Sequence, residues 1–416
     1  ASADTYLARP SLGSACSGTV AVAGQFCVHY TSPGLLAGAN AATPEQAQLT
    51  ADTLANVWSA EVGSLGFRPP PADADGTFDV YLQDVGAQGY YGYCAPDQEE
   101  PHSTSYCVLD NDFDPAQFGG APALNSLQVT AAHEFFHAIQ FGYDTGEDIW
   151  LMEGSAVWAE DQVYPAINDY LQYLPFSAIP RPTVPVDYKG VTSSDLFFRY
   201  GAVLFWKFLS ERFGDPGIIR RVWEYAEGSA YSLQAVTAAL AERGWTFSRA
   251  FAAFGAWNTE PTGSYGDRAL FPAPVWWQVA PLGKHQRRIS SRAATLDHLT
   301  NAAMLIQPTG RLPRKTRAKI IVNGPDLAHM PAATVQVRRR DGSARILDVP
   351  LDAHGDGSIR IVFDPRRVAS AVVTLSNAST RMATCRTDTT DRFACGGQSA
   401  DDGQVYAVRA KLLRRK

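Results

Sequence analysis

The chain has 416 residues, 45% of them hydrophobic and 19% charged, with a net charge of −6. That balance excludes a disordered chain and gives material for about two or three domains, each with its own core. Charged residues, Gly or Pro break every apolar run before the roughly 18 to 20 residues that a membrane-spanning helix needs, so no transmembrane segment is expected.

Charge is unevenly spread. Residues 263–416 carry 25 Lys and Arg against 12 Asp and Glu, a net +13, which leaves −19 for the first 262 residues and implies two separate units. The basic runs Arg338-Arg339-Arg340 and Arg414-Arg415-Lys416 read as solvated faces; the alternatives are attraction to an anionic surface, to nucleic acid or to the acidic half. No nucleic-acid partner is expected. The chain begins Ala1-Ser2-Ala3 without an initiator Met, as a mature protein does once an export signal is removed, although a chain trimmed otherwise begins the same way. The six cysteines fall into three sequence-local pairs, Cys16 with Cys27, Cys94 with Cys107, and Cys385 with Cys395. Three disulfides and a secreted, extracellular location are therefore expected, with free buried thiols as the alternative.

In chain order, Phe26 to Tyr30 alternates like a strand, and Thr43-Pro44-Glu45 opens an amphipathic helix running to about Val62. Leu49, Leu54, Val57 and Trp58 form its expected apolar face. Strands follow at Phe78 to Leu82 and Ser105 to Leu109, the second leading into Asp110-Asn111-Asp112. These hard-oxygen residues, with Asp114, suit Ca2+ in type but lack the spacing of an EF-hand, so a polar turn is the better reading and Ca2+ has no support. Between about Ser126 and Trp257 the pattern is helical, punctuated at Gly142, Pro165, Gly214-Asp215-Pro216, Gly228 and Gly244. Beyond Pro272 the period falls to two, in Ala318 to Val322, Thr334 to Arg340, Ala344 to Val349, Ser358 to Phe363, Ala371 to Ser376 and Gln404 to Lys411. The fold class expected is α+β: a first domain of mixed strands and helices over 1–270, with a helical core at about 126–257, then an all-β sandwich over 271–416.

Residues 133–137 read His-Glu-Phe-Phe-His within an apolar helical run. A four-residue interval puts both imidazoles on one face, one turn apart, where they reach a single metal ion, and Glu134 stands where a general base for a metal-activated water is needed. The helix ends at Gly142, a short loop follows, and a second helix begins near Ile149, so Glu153 comes back to the depth of the histidines. Two His and one Glu leave a coordination position open, as catalytic zinc sites do. Two core histidines bonded to backbone are the plain alternative, but Glu134 and Glu153 would then be coincidences.

His133-Glu134-Phe135-Phe136-His137 followed by Trp150-Leu151-Met152-Glu153-Gly154-Ser155-Ala156 resembles the gluzincin metallopeptidases. In their aminopeptidase branch the third zinc ligand sits in a Trp-Leu-Asn-Glu-Gly-Phe-Ala segment. The resemblance implies a zincin-like catalytic domain holding one catalytic Zn2+, with Glu153 as third ligand and Glu160 as the carboxylate behind a ligand histidine. The string through Gln140-Phe141-Gly142-Tyr143-Asp144 is similar to secreted bacterial putative metalloendopeptidases. No Gly-x-Met-Glu-Asn exopeptidase segment precedes the helix, so aminopeptidase activity does not carry over. Tyr200, ahead of Gly201-Ala202-Val203-Leu204-Phe205, resembles the branch's transition-state tyrosine with altered spacing; Tyr188 is the reserve, and a core or rim tyrosine is the plain alternative for Tyr200. The expected activity is hydrolysis of protein or peptide substrates, with the strand Ser105 to Leu109 pairing an extended substrate. The rival expectation is a catalytically silent binding or adhesion protein whose basic β-sandwich recognises a surface or glycan.

Overall fold

The structure is a computed structural model that describes residues 9–34, 38–98, 101–266, 271–385 and 392–413. In chain order the elements are β1 (Val20–Ala23), β2 (Phe26–His29), α1 (Pro44–Trp58), β3 (Phe78–Gln83), β4 (Gly92–Pro96), β5 (Ser105–Asp110), α2 (Ala123–Phe141) and α3 (Ile149–Val163). Helices α4 (Phe198–Gly201), α5 (Val203–Phe213), α6 (Gly217–Ala226), α7 (Ser232–Glu242), α8 (Phe247–Trp257) and α9 (Pro261–Ser264) follow. Strands then run to the end: β6 (Gln278–Gly283), β7 (Arg288–Leu296), β8 (Thr300–Thr309), β9 (Arg317–Asn323), β10 (Pro331–Arg339), β11 (Ala344–Asp348), β12 (Asp356–Val362), β13 (Val368–Asn377), β14 (Met382–Thr384), β15 (Gln398–Ser399) and β16 (Gln404–Leu412). The class is α+β with a β-rich C-terminal region. No helix among the described residues is long and apolar enough to cross a membrane. The three sequence-local disulfides, Cys16–Cys27, Cys94–Cys107 and Cys385–Cys395, are formed.

The chain divides into two compact units. One comprises residues up to Glu147 with Met152–Tyr170 and Phe213–Tyr231; the other comprises Asp148–Leu151, Leu171–Arg212 and the chain from Ser232 onward. The boundary expected near residue 270 is not where the units divide. Helices α7 and α8 group with the C-terminal strands, because α8 is apolar on nearly every side and needs a covering surface. Gly255 of α8 approaches so closely that a Cβ there would lie 2.4 Å from Asn301 Oδ1 at the start of β8.

The first unit holds a mixed sheet in the order β1-β2-β3-β5-β4, with β2, β3 and β5 parallel and the outer strands β1 and β4 antiparallel to their neighbours. Helix α1 starts with a capping box: the Thr43 hydroxyl accepts from Gln46 N at 3.2 Å and the Gln46 side chain accepts from Thr43 N at 2.8 Å. Leu49, expected on its apolar face, is 46% exposed; the buried face is Ala47, Thr50, Ala51, Leu54 and Val57. A π-helical turn, Ser59–Ser64, ends the helix. Its wider repeat rotates Glu61, which is fully buried, into the interior.

In the second unit a five-stranded sheet, β11-β10-β13-β8-β6, and a four-stranded sheet, β12-β9-β16-β7, share one core that draws on Met304, Val335 and Val373 from the first and Ile320, Ile361 and Val408 from the second. This is the expected sandwich. Asn377, which heads the Asn-Ala-Ser sequon, is buried, and its amide donates to the carbonyls of Leu296 at 3.2 Å and Asp401 at 2.7 Å. In the folded chain its amide is engaged by these two bonds.

Candidate metal centre

Helix α2 is buried along most of its length, and the two residues between its histidines set its orientation. Phe135 packs on Phe26 and Phe78 of the sheet and on Trp58 of α1, with ring centroids 5.0, 5.6 and 5.5 Å away. Phe136 turns the other way, onto Phe67 and Trp158. Burying rings of this size contributes about 1.5 to 3 kcal/mol each, enough to hold the helix in one rotation. His133 and His137 then face α3.

There the ligand atoms converge. His133 Nε2 lies 3.1 Å from His137 Nε2 and 3.3 Å from Glu153 Oε2, and His137 Nε2 lies 3.6 Å from the same oxygen. Three ligands at about 2.0 to 2.1 Å from a tetrahedral zinc stand about 3.3 Å apart, so the triangle has the dimensions of a zinc site. The other face of each ring is held. Glu160 Oε1 sits 2.6 Å from His133 Nδ1, and Gln140 Oε1 accepts from His137 Nδ1 at 2.7 Å. The Gln140 amide is oriented by its nitrogen, which donates to Met152 O at 2.9 Å and to Ser155 Oγ at 3.2 Å; Trp223 Nε1 donates to that hydroxyl at 3.2 Å. With Nδ1 donating, His137 presents a bare Nε2 to the triangle. The donor set and its spacing therefore fit a zinc ion.

The charges compensate one another. Burial opposes a proton on His133, but hydrogen bonds to Glu153 and Glu160 hold its pKa well above the imidazole range. Burial would raise Glu153, yet His133 and His137 keep it well below the usual carboxylate range. Glu160 is pushed up to about 8 by burial against the pull of His133. Glu134 is buried, and its carboxylate makes no hydrogen bond among the described residues; its charge is close enough to raise the pKa of His133. Glu61 is also pushed well above the ordinary range by burial, opposed by His133.

The structure thus brings together His133, His137, Glu153 and Glu160. Tyr200 and Tyr188 belong to the other compact unit. Tyr200 is stacked on Tyr173, with ring centroids 5.0 Å apart, and the Tyr188 hydroxyl donates to Asp195 at 2.6 Å. Burial and Asp195 push the Tyr188 phenol up to about 12. Sequence reasoning missed Gln140; the signal was its position three residues after His137, on the same helical face.

The acidic turn holds itself together by backbone hydrogen bonds. Asp110 accepts from Gly86 N and Phe113 N, both at 2.7 Å, and Asp112 from Asp114 N at 2.9 Å. Cys27, His29 and Asp79 also cluster within ligand distance, but Cys27 is committed to its disulfide with Cys16.

The strand Ser105 to Leu109, expected to pair with substrate, lies inside the sheet between β3 and β4 and has no free edge. The edge is β4. Bonds from Asp97 N to Thr104 O and from Asp110 N to Tyr91 O fix the alternation, so the backbone groups of Gly92 and Cys94 face outward. β4 also runs against the helix that carries His133 and His137: a Cβ on Gly92 would lie 3.1 Å from Thr130 Cγ2, one turn before Glu134.

No protein-family model and no curated protein matches the chain. Among solved structures it is similar to the CBM22-1 xylan-binding domain of Paenibacillus barcinonensis Xyn10C, at 10% identity and a TM-score of 0.15, over 32% of this chain and 91% of that one. It is also similar to the family GH115 4-O-methyl-alpha-glucuronidase BtGH115A, at 8% identity and a TM-score of 0.17, over 85% of this chain and 54% of that one, so it spans about half that enzyme's length. At these TM-scores neither likeness carries an argument.

Proposed function

We propose that the chain is a secreted zinc-dependent peptidase of the gluzincin type, with a zincin-like catalytic domain. The observation that carries this reading is the triangle of His133 Nε2, His137 Nε2 and Glu153 Oε2, with edges of 3.1, 3.3 and 3.6 Å. His133, His137 and Glu153 would hold the ion, which when bound supplies Lewis acidity toward the scissile carbonyl and acidifies a water. Glu134 takes a proton from the attacking water and delivers it to the leaving amine. Glu160 and Gln140 fix the two imidazoles by their outer nitrogens. The outward backbone groups of Gly92 and Cys94 are suited to pair with an extended peptide, which favours cleavage within a chain. Three disulfides accord with an oxidising compartment. Tyr200 remains the proposed oxyanion donor on the resemblance alone.

The test compares metal content and proteolysis of an unfolded protein substrate for wild type, His137→Ala and Glu134→Gln. One zinc per wild-type chain is expected, lost in the histidine variant and retained without proteolysis in the Glu134 variant. A wild type that cannot be loaded with zinc would overturn the reading, and zinc-loaded protein inert toward every protein substrate would favour a silent binding protein.

A further inference from the structure

The outer face of the four-stranded sheet carries an unusual row. Lys411 of β16 pairs directly with Arg288 of β7 on one side and with Lys319 of β9 on the other, and Lys319 pairs with Arg360 of β12. Four cations therefore stand side by side across all four strands, at the inter-strand spacing of about 4.8 Å. All four point away from the core, since their neighbours Ile289, Ala318, Ile361 and Ala410 are buried in it. Arg317 and Arg409 extend the row on the two central strands. Among the described residues of these strands, the acid on this face is Asp356, at the far end of β12, where it accepts from the Asn323 amide. Among the described residues none of the four row cations has an ion pair, whereas surface cations elsewhere in this unit do, as with Arg249 and Asp348 at 3.2 Å.

Like charges placed directly opposite one another destabilise a sheet, so three consecutive like-charged pairs ask for an external counter-charge. Protection of exposed edges accounts for cations on β12 and β7 but not on the central strands β9 and β16. We infer that this row is a binding surface for a linear anionic polysaccharide bearing one carboxylate or sulfate per sugar. Its spacing is close to the length of one sugar in an extended chain, and the long Lys and Arg side chains can reach anionic groups on either flank of a chain lying across the strands. Duplex DNA presents one charge per about 1.7 Å of axis, far denser than the row can neutralise. Single-stranded nucleic acid stacks its bases on aromatic side chains, and the outward positions of these strands hold none. An anionic membrane would be met by cations spread over the whole face, whereas here they gather at the end of the sheet where β16 finishes, and Ser358, Ile321, Asn323 and Ala407 beyond them carry no charge. The inference does not depend on the peptidase reading.

The test uses the full chain, measured by affinity electrophoresis in polygalacturonate at rising salt. Its controls are the same polymer fully methyl-esterified, a DNA duplex, and phosphatidylglycerol vesicles. Wild type should be retarded by the acid polymer and not by its ester. Lys319→Gln with Lys411→Gln should weaken that binding by about tenfold or more at low salt. Arg339→Gln with Arg345→Gln, an equal charge change on the other sheet, should leave it within about twofold. The row variant should also melt no lower than wild type, because it removes like-charge opposition. No retardation by the acid polymer, an equal loss in both double variants, or tighter binding to DNA or vesicles would overturn the inference.

Discussion

Replacing Gln140 with Met tests whether the second histidine is held for a metal or merely packed. The change nearly preserves volume in a fully buried position and removes three hydrogen bonds, from His137 Nδ1 at 2.7 Å, to Met152 O at 2.9 Å and to Ser155 Oγ at 3.2 Å. Leaving a buried polar group unpaired costs about 1 to 3 kcal/mol, and Met recovers part of this by packing, so unfolding free energy should fall by about 2 to 4 kcal/mol. Loss of the acceptor that orients a ligand imidazole weakens metal binding by about 10- to 100-fold, or about 1.4 to 2.7 kcal/mol. Chelator competition on the folded protein reads the second quantity, and urea unfolding of the metal-free protein reads the first. Gln140→Glu separates them: it keeps an acceptor for His137 but loses the donor to Met152, so it should hold zinc at least as well as wild type while being less stable. Equal zinc affinity in the Met variant, with stability lowered, would show that Gln140 only clamps α2 to α3 and would refute the oriented-imidazole argument.

The buried His298 should give the second unit a basic limit. Burial opposes its charge, but Asp187 at 3.1 Å and Asp402 at 2.7 Å raise its pKa to about 10, against an ordinary value of 6.5. A raised folded pKa means that the stabilisation is complete below about pH 6.5 and is lost as pH climbs through about 10, at most about 5 kcal/mol. Denaturant midpoints should fall over that window relative to those of His298→Gln, and parallel curves would refute the assignment. Removing the Cys94–Cys107 bridge by double Ser substitution should cost about 3 kcal/mol in thermal unfolding and loosen β4 from β5, seen as faster hydrogen exchange at Ala95. Unchanged stability would place the bridge outside the cooperative fold. Gly255→Ala places a Cβ 2.4 Å from Asn301 Oδ1, which already accepts from the Ser376 hydroxyl at 2.6 Å. The overpacking cost of about 1 to 3 kcal/mol should exceed the helix gain of about 1 kcal/mol, lowering the melting temperature without changing zinc content; a rise would mean that α8 shifts freely on the sheet.

Much of the candidate site was legible because its parts are local. The interval from His133 to His137 is one helical turn, and the loop after Gly142 is too short for anything but an antiparallel return that brings Glu153 and Glu160 back beside it. The disulfides were legible for the same reason, each closing a short loop. Helix α1 shows where local pattern fails: Leu49 fitted the apolar period but faces solvent, while the π turn carries Glu61 inward.

By itself the sequence determined which residues share a helix face, which segments alternate as strands, and which residue types meet at His133. Only the tertiary structure decided that β4 and not β5 is the sheet edge, that Gln140 holds His137, that α7 and α8 group with the strands, and that Arg288, Lys319, Arg360 and Lys411 form one row. The physical reason is that helix and strand repeats are set by neighbouring dihedral angles, whereas sheet order and register are set by burial between segments far apart in the chain.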